Sequence, residues 1–274
     1  MPEWVVESSQ LSDVGQKRRH NEDYVGLYEP RQLAELEAHG RLYVLADGVG
    51  GAAAGDVASR YAVNKIIYTY YYQNPGKDLG ARLKKAVEEA NADIFACNRG
   101  RSNDREMATT VVAAVLSGSE LIVANVGDSR AYVICGDAIE QITEDHSLMA
   151  EMINDGIITA EQAATHPYRN VILRSVGASE TTQVDLFTRQ LAPHDVLILC
   201  SDGLTRLVNN DELVEAVRAH PPAEAARHLV DLANQRGGED NISISITRIS
   251  PHRAQGETSG AGQLPEMPSW EDLS

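Results

Sequence analysis

Six acidic side chains stand where short apolar runs break off or begin. They are Glu22 and Asp23, Asp47 with Gly48 after Leu42–Ala46, Asp128 within Val126-Gly127-Asp128-Ser129-Arg130, Asp202 after Leu197–Cys200, and Asp240 just ahead of Asn241–Ile246. Strand ends lie at the rim of a sheet, where side chains from distant parts of a chain converge without interrupting the backbone ladder. Converging carboxylates repel one another unless a cation stands among them. Oxygen ligands with neither His nor Cys beside them suit a hard ion, Mg²⁺ or Mn²⁺ rather than Zn²⁺. Taken singly, each Asp-Gly is also an ordinary turn, and the acids alone name no reaction.

The elements that must carry these acids are legible in the pattern of apolar residues. A strand over Leu42–Ala46 gives way to glycines at 48, 50 and 51 before a helix begins near Asp56. Leu79, Leu83, Ala86, Val87, Ala90 and Ile94 recur at helical spacing, predicting an amphipathic helix over 78–98. Thr109–Leu116 and Leu121–Val126 flank a Ser-Gly-Ser-Glu turn, and Arg130–Cys135 and Ala138–Thr143 flank Gly136-Asp137, which predicts two hairpins and antiparallel sheet. Residues 146–180 are polar and weakly periodic, an excursion holding one brief helix behind the capping box Thr159-Ala160-Glu161-Gln162. Strands resume over Val184–Leu191 and Val196–Cys200. One helix follows from Asp211, capped by Asn209 or Asn210, and another from Pro222 to Arg236, closed by Gly237-Gly238. The isoleucines of Asn241–Ile246 alternate and so face a core. Residues 251–274, rich in Gly, Pro, Ser and Glu, read as a disordered acidic tail. Hairpins with separate helices indicate an α+β protein rather than a parallel βαβ sheet.

The 274 residues carry 24 Lys and Arg against 40 Asp and Glu, a formal charge of −16, which disfavours nucleic acid and anionic membrane surfaces as partners. No apolar run has membrane-spanning length. Cys97, Cys135 and Cys200 are odd in number, far apart and set among apolar residues, as expected of reduced thiols packed as small hydrophobes in a cytoplasmic protein.

The motifs, taken in order, resemble the metal-dependent, type 2C (PPM) protein serine/threonine phosphatases of bacterial type. The series is Ser12-Asp13-Val14-Gly15 to Arg18-Arg19-His20-Asn21-Glu22-Asp23, Ala46-Asp47-Gly48-Val49-Gly50-Gly51, Met107-Ala108-Thr109-Thr110, Val126–Arg130, Thr143-Glu144-Asp145-His146-Ser147, Leu199–Leu204 and Glu239-Asp240-Asn241. The resemblance implies a four-layer α-β-β-α sandwich of two antiparallel sheets flanked by helices. The phosphatase domain would span 1–250, with a flap subdomain over about 146–180 that includes His166-Pro167 and Leu173–Gly177. It also implies hydrolysis of phosphoserine and phosphothreonine in proteins by metal-activated water, with two Mn²⁺ or Mg²⁺ ions and a third more weakly held. The implied partners are phosphorylated proteins, a Ser/Thr kinase among them, and the implied unit is a monomer.

Site roles carry over residue by residue. Asp47 would bridge the two metals, with the Gly48 carbonyl a further ligand. Asp202 and Asp240 would complete one metal, and Glu22 and Asp23 would serve the other directly or through waters. Arg18 would bind the substrate phosphate through paired guanidinium donors; the alternative is a surface charge in the run Lys17-Arg18-Arg19. Asp128 would hold the third metal with Asp202, or else brace its turn by pairing with Arg130. Cys200 reads as packing, since the attacking group is water and no covalent phosphoenzyme forms. Val49 departs from the family, whose eukaryotic members carry histidine there and whose bacterial members carry methionine, so the general acid is open among His146, His166 and a metal-bound water. Ala108 stands where glycine is common. A non-catalytic signalling module on the same fold is the alternative, disfavoured by retention of Arg18, Asp47, Asp202 and Asp240. A phosphatase of small metabolites is a third.

Overall fold

The computed structural model describes residues 4–49, 54–73, 76, 78–99 and 106–251. Gly50, Gly51 and the tail from 252 onward lie outside the described residues. Strands β1 (Trp4–Asp13) and β2 (Asp23–Tyr28) lead through a short helix α1 (Leu33–His39) to β3 (Arg41–Val49). Helix α2 (Ala54–Tyr68) continues into a π-helical turn at Thr69–Gln73, and α3 (Leu79–Asn98) follows. Next come β4 (Ala108–Thr109), β5 (Val111–Ser117), β6 (Glu120–Val126), β7 (Arg130–Cys135) and β8 (Ala138–Gln141). Two short helices, α4 (Leu148–Asn154) and α5 (Ala160–Ala164), precede β9 (Asp185–Gln190) and β10 (Val196–Cys200). The last elements are α6 (Asp202–Thr205), α7 (Asn210–Ala219), α8 (Pro222–Gln235) and β11 (Ile242–Pro251).

One sheet has the order β1-β11-β10-β7-β8 and the other β2-β3-β5-β6-β9, with β4 paired to β3. Both hairpins and the antiparallel pairing expected from the sequence are present. Alternation along β3 explains the layering. Leu42, Val44 and Ala46 pack outward against Ala58, Ala62, Ile66, Leu83 and Ile94 of α2 and α3, while Tyr43 and Leu45 face Val133, Leu197 and Leu199 of the opposite sheet. On the far side, Ile198, Ile242, Ile244 and Ile246 meet Leu213, Val217 and Leu229 of α7 and α8. Helices, sheet, sheet and helices therefore stack in four layers, as the resemblance implied.

Local signals set most helix starts. Asp78 caps α3 by accepting from Ala81 N at 3.0 Å, and reciprocal capping boxes begin α5 at Thr159/Gln162 and α7 at Asn209/Glu212. The sequence did not reveal β1, because its inward side is polar. Ser8, Gln10 and Ser12 lie opposite Thr247, Ser245 and Ser243 and bond to them between the sheets, so the apolar alternation that marks a strand is missing.

The excursion at 146–180 is held at both ends. His146 N donates to Gly127 O at 2.9 Å and Gly127 N donates to His146 Nδ1 at 3.0 Å. At its exit, Thr109 and Val176 exchange backbone bonds of 3.0 and 2.8 Å, and Asn91 and Asn98 of α3 bind the backbone of Gly177. Cys200 is buried as expected, whereas Cys135 is exposed at the end of β7 and is not a core thiol.

Because Ile244 is fully buried between sheet and helices, Ile244→Ala should cost ~2–5 kcal/mol in urea unfolding. Ile157→Ala, on an exposed flap side chain, should change stability by less than ~0.5 kcal/mol.

Candidate metal centre

Asp23 opens β2 and Asp47 lies near the end of β3, and the two are direct cross-strand partners. Like charges placed opposite one another on a sheet repel. Backbone closes around them: Gly48 N donates to Glu22 O at 3.0 Å. A Cβ at Gly48 would lie 2.4 Å from Gly55 O in α2 and 2.6 Å from Glu22 O, so only glycine lets the three segments meet. Thr109 and Thr110 hold the Asp47 backbone. Thr109 Oγ1 and Thr110 N both donate to Asp47 O at 2.8 Å, and Asp47 N donates to Thr110 Oγ1 at 3.2 Å. Thr110 Oγ1 is also 2.7 Å from Ser129 Oγ, which couples the turn bearing Asp128 to the same strand.

The other sheet supplies Asp202 and Asp240. The apolar β10 delivers Asp202 as the first residue of α6, a helix start rather than the turn its Asp-Gly suggested. A Cβ at Gly203 would stand 2.0 Å from Asn241 O and 3.3 Å from the Asp240 Cβ, so glycine permits the approach that brings Asp202 beside Asp240. Asn241 fastens the motif loop: its Oδ1 accepts from Glu22 N at 2.8 Å, and its Nδ2 donates to Val14 O and His20 O, both at 3.0 Å. Ser201 Oγ donates to Asp23 Oδ2 at 2.8 Å across the sandwich. Among these supports, Thr109, Thr110, Ser201 and Asn241 were given no function by the sequence; their place inside the motifs was the available signal.

The electrostatics follow from this crowding. Burial first, then Asp23, Asp202, Asp128 and Asp240, hold the Asp47 carboxyl far above the ordinary carboxylate range. Burial pushes Asp23 up to about 7 against the pull of Ser243 and Ser201, with Asp202 adding to the rise. Asp128 also reaches about 7 through burial, Asp202 and Asp145, opposed by Arg206. Burial raises Asp202 against Arg206, and raises Glu22 against Arg18. Arginines partly offset the excess: Arg18 Nη2 meets Asp240 Oδ2 at 2.9 Å, and Arg206 pairs with Asp202. Among the described residues no three His, Cys, Asp or Glu groups stand in a ready-made coordination shell; Asp202 and Asp240 are turned to these guanidinium groups instead. The donors nevertheless fit a hard cation. Asp23 Oδ1, Asp128 Oδ1 and Asp202 Oδ1 are buried with no hydrogen-bond partner, and such atoms are costly unless something cationic or hydrogen-bonding reaches them.

Asp128 does not pair with Arg130. That guanidinium grips Asp145 with bonds of 2.7 to 3.0 Å, which removes the bracing role considered for Asp128. His146 also has its nitrogens engaged: Nδ1 accepts from Gly127 N, and Nε2, which then carries the proton, lies 2.9 Å from Asp185 Oδ2. Beside the acids runs a groove of about 1130 Å³ between the flap helices and the sandwich, lined by Asp128, Asp202 and Arg206 on one side and Met149 and Ile153 on the other.

Comparison with known proteins places the chain. The family model described as Protein phosphatase 2C matches residues 16–235. The chain belongs to that family. It is 36% identical over 239 residues to "Serine/threonine phosphatase stp" of Listeria innocua, covering 86% of this chain and 92% of that one. The serine/threonine phosphatase PstP/Ppp of Mycobacterium tuberculosis superposes with a TM-score of 0.79 at 33% identity, over 90% of this chain and all of that one (100%). A structure of the catalytic domain of PstP in complex with two manganese ions superposes with a TM-score of 0.77 at 32% identity, over 90% of this chain and 100% of that one.

The raised carboxyls set a pH dependence. Asp23 and Asp128 ionise near 7 when folded and near 4 when unfolded, so the folded chain binds more protons between those values. Their contribution to stability is present at low pH and is lost as pH rises through about 7. In chelator-treated protein, the melting temperature measured by circular dichroism should therefore fall between about pH 5.5 and about pH 8. Asp128→Asn should flatten that slope, and added Mn²⁺ should raise the melting temperature more at the higher pH.

Proposed function

We propose that this chain hydrolyses phosphoserine and phosphothreonine esters in proteins, with Mn²⁺ or Mg²⁺ held at the rim of the sandwich. The observation that carries the reading is the convergence of Asp23, Asp47, Asp128 and Asp202 from distant segments of the chain, three of them with buried, unpartnered oxygens. Family membership and relatives described as serine/threonine phosphatases support the reaction class. Bound divalent cations would supply neutralisation of the phosphoryl oxygens and activation of the attacking water.

The chain's own groups take the remaining roles. Asp47 would help to hold both ions, with the Gly48 carbonyl a further ligand. Asp202 and Asp240 would complete one of them, and Glu22 and Asp23 the other. Asp128 with Asp202 would hold a third. Arg18 is about half exposed and reaches Asp240 from outside the cluster, so its guanidinium can turn its paired donors to a phosphate. Burial pushes the Cys200 thiol up to about 12, and the Ser201 hydroxyl is committed to Asp23, so neither serves as nucleophile. With both nitrogens committed and its pKa lowered by burial, His146 positions the Gly127 backbone beside Asp128 rather than protonating the leaving alkoxide. His166 is half-buried in the flap, where its Nδ1 accepts from Tyr168 N, and does not line the groove.

The same reading takes phosphorylated proteins, a Ser/Thr kinase among them, as substrates, and a cytoplasmic monomer as the working unit. No helix among the described residues is long and apolar enough to cross a membrane. Purified protein with Mn²⁺ should release phosphate from a phosphothreonine peptide. Chelator should abolish the release, and Asp47→Asn should lower it by ~10²-fold or more. Turnover that survives excess chelator would contradict the mechanism, and Mn²⁺ binding without turnover would return the non-catalytic reading.

A further inference from the structure

Helix α6 folds Arg206 back over its own first residue. Arg206 N donates to Asp202 O at 3.0 Å, and the two side chains, four positions apart, form an ion pair between Nη2 and Asp202 Oδ2. Nη1 lies 3.9 Å from Asp240 Oδ2. Arg206 also favours the ionised form of Asp128, which lines the same groove. One guanidinium thus stands against three carboxylates assigned above to cation binding. Asp202 is divided: Oδ2 is taken by the arginine, while Oδ1 is buried with no partner.

We propose that Arg206 is a built-in counter-cation that competes with divalent ions for the Asp202, Asp240 and Asp128 edge and so sets their affinity there. The proposal rests on the cation site of the previous section. A divalent ion that takes Asp202 must either share the carboxylate with a positive group or displace it, and the displaced charge remains tethered nearby. Neutralising the cation-free cluster and weakening its hold on metal are then two consequences of one ion pair. Arg206 is less exposed than Arg18, and its guanidinium is already engaged by Asp202. This favours a role toward the acids over a role toward substrate phosphate.

The test uses the full chain, stripped with chelator and dialysed, and titrated with Mn²⁺ by calorimetry. Arg206→Gln should tighten the weakest resolved Mn²⁺ sites by about 3- to 10-fold, since a partly buried ion pair of this kind is lost as a competitor. Arg206→Lys, which keeps the charge, should bind nearly as wild type does. Arg206→Met, which keeps the aliphatic stem, should follow Arg206→Gln and guards against one variant failing to fold. Without cation, Arg206→Gln should melt below wild type, and saturating Mn²⁺ should narrow the difference. Unchanged or weaker Mn²⁺ binding in both neutral variants would overturn the proposal. So would a raised KM for phosphopeptide with Mn²⁺ affinity unchanged, which would make Arg206 a substrate ligand. Wild type that binds no Mn²⁺ would overturn the cation site itself, a different failure from wild type and variants binding alike.

Discussion

Repulsion among carboxylates is the constraint to which the rest of this structure answers. Asp23 and Asp47 oppose each other on paired strands, and Asp128, Asp202 and Asp240 press on Asp47 from other segments. Such an arrangement lowers stability and persists only where the fold over-determines it. The four-layer sandwich does so by spending rigid elements on each acid. The strands bearing them are packed on both faces, and the glycines at 48 and 203 let backbone segments close to distances that no side chain would allow.

Polar groups around the acids supply the positioning. The paired threonines fix the Asp47 backbone and reach Ser129 beside Asp128, Ser201 spans the sandwich to Asp23, and Asn241 ties the loop of Arg18 and Glu22 to the start of β11. Through His146 on Gly127 and Val176 on Thr109, the flap is fastened to the turn that carries Asp128 and to the short strand β4 that pairs with the strand of Asp47. Rigid support of this kind is what a site needs if it is to stabilise charge that develops during reaction without reorganising at that moment. Its cost is visible in the raised carboxyls, and arginines 18 and 206 offset part of it.

Much of this was legible in the chain. Helix α3, the two hairpins, and the capping boxes at Thr159 and Asn209 follow from local spacing, and the acids at strand ends pointed to a cation site before any fold was known. The ordered motifs implied the sandwich. What escaped depends on contacts between distant segments. The inward face of β1 is polar because it bonds to β11, so its periodicity is hidden. Arg130 stands two positions from Asp128 in sequence, yet it binds Asp145, fifteen positions away and brought alongside by the β7–β8 hairpin. The roles of Ser201 and Asn241 likewise exist only once two sheets face each other.

The central claim is that carboxyls held partly protonated by burial and by mutual repulsion become ionised when a divalent cation joins them. The most direct measurement is the number of protons released on Mn²⁺ binding, obtained by calorimetry in buffers of different ionisation enthalpy at about pH 7 and about pH 9. The account predicts release of protons near pH 7, where Asp23 and Asp128 titrate, and less release at the higher pH. Mn²⁺ binding with no proton release near pH 7 would contradict it.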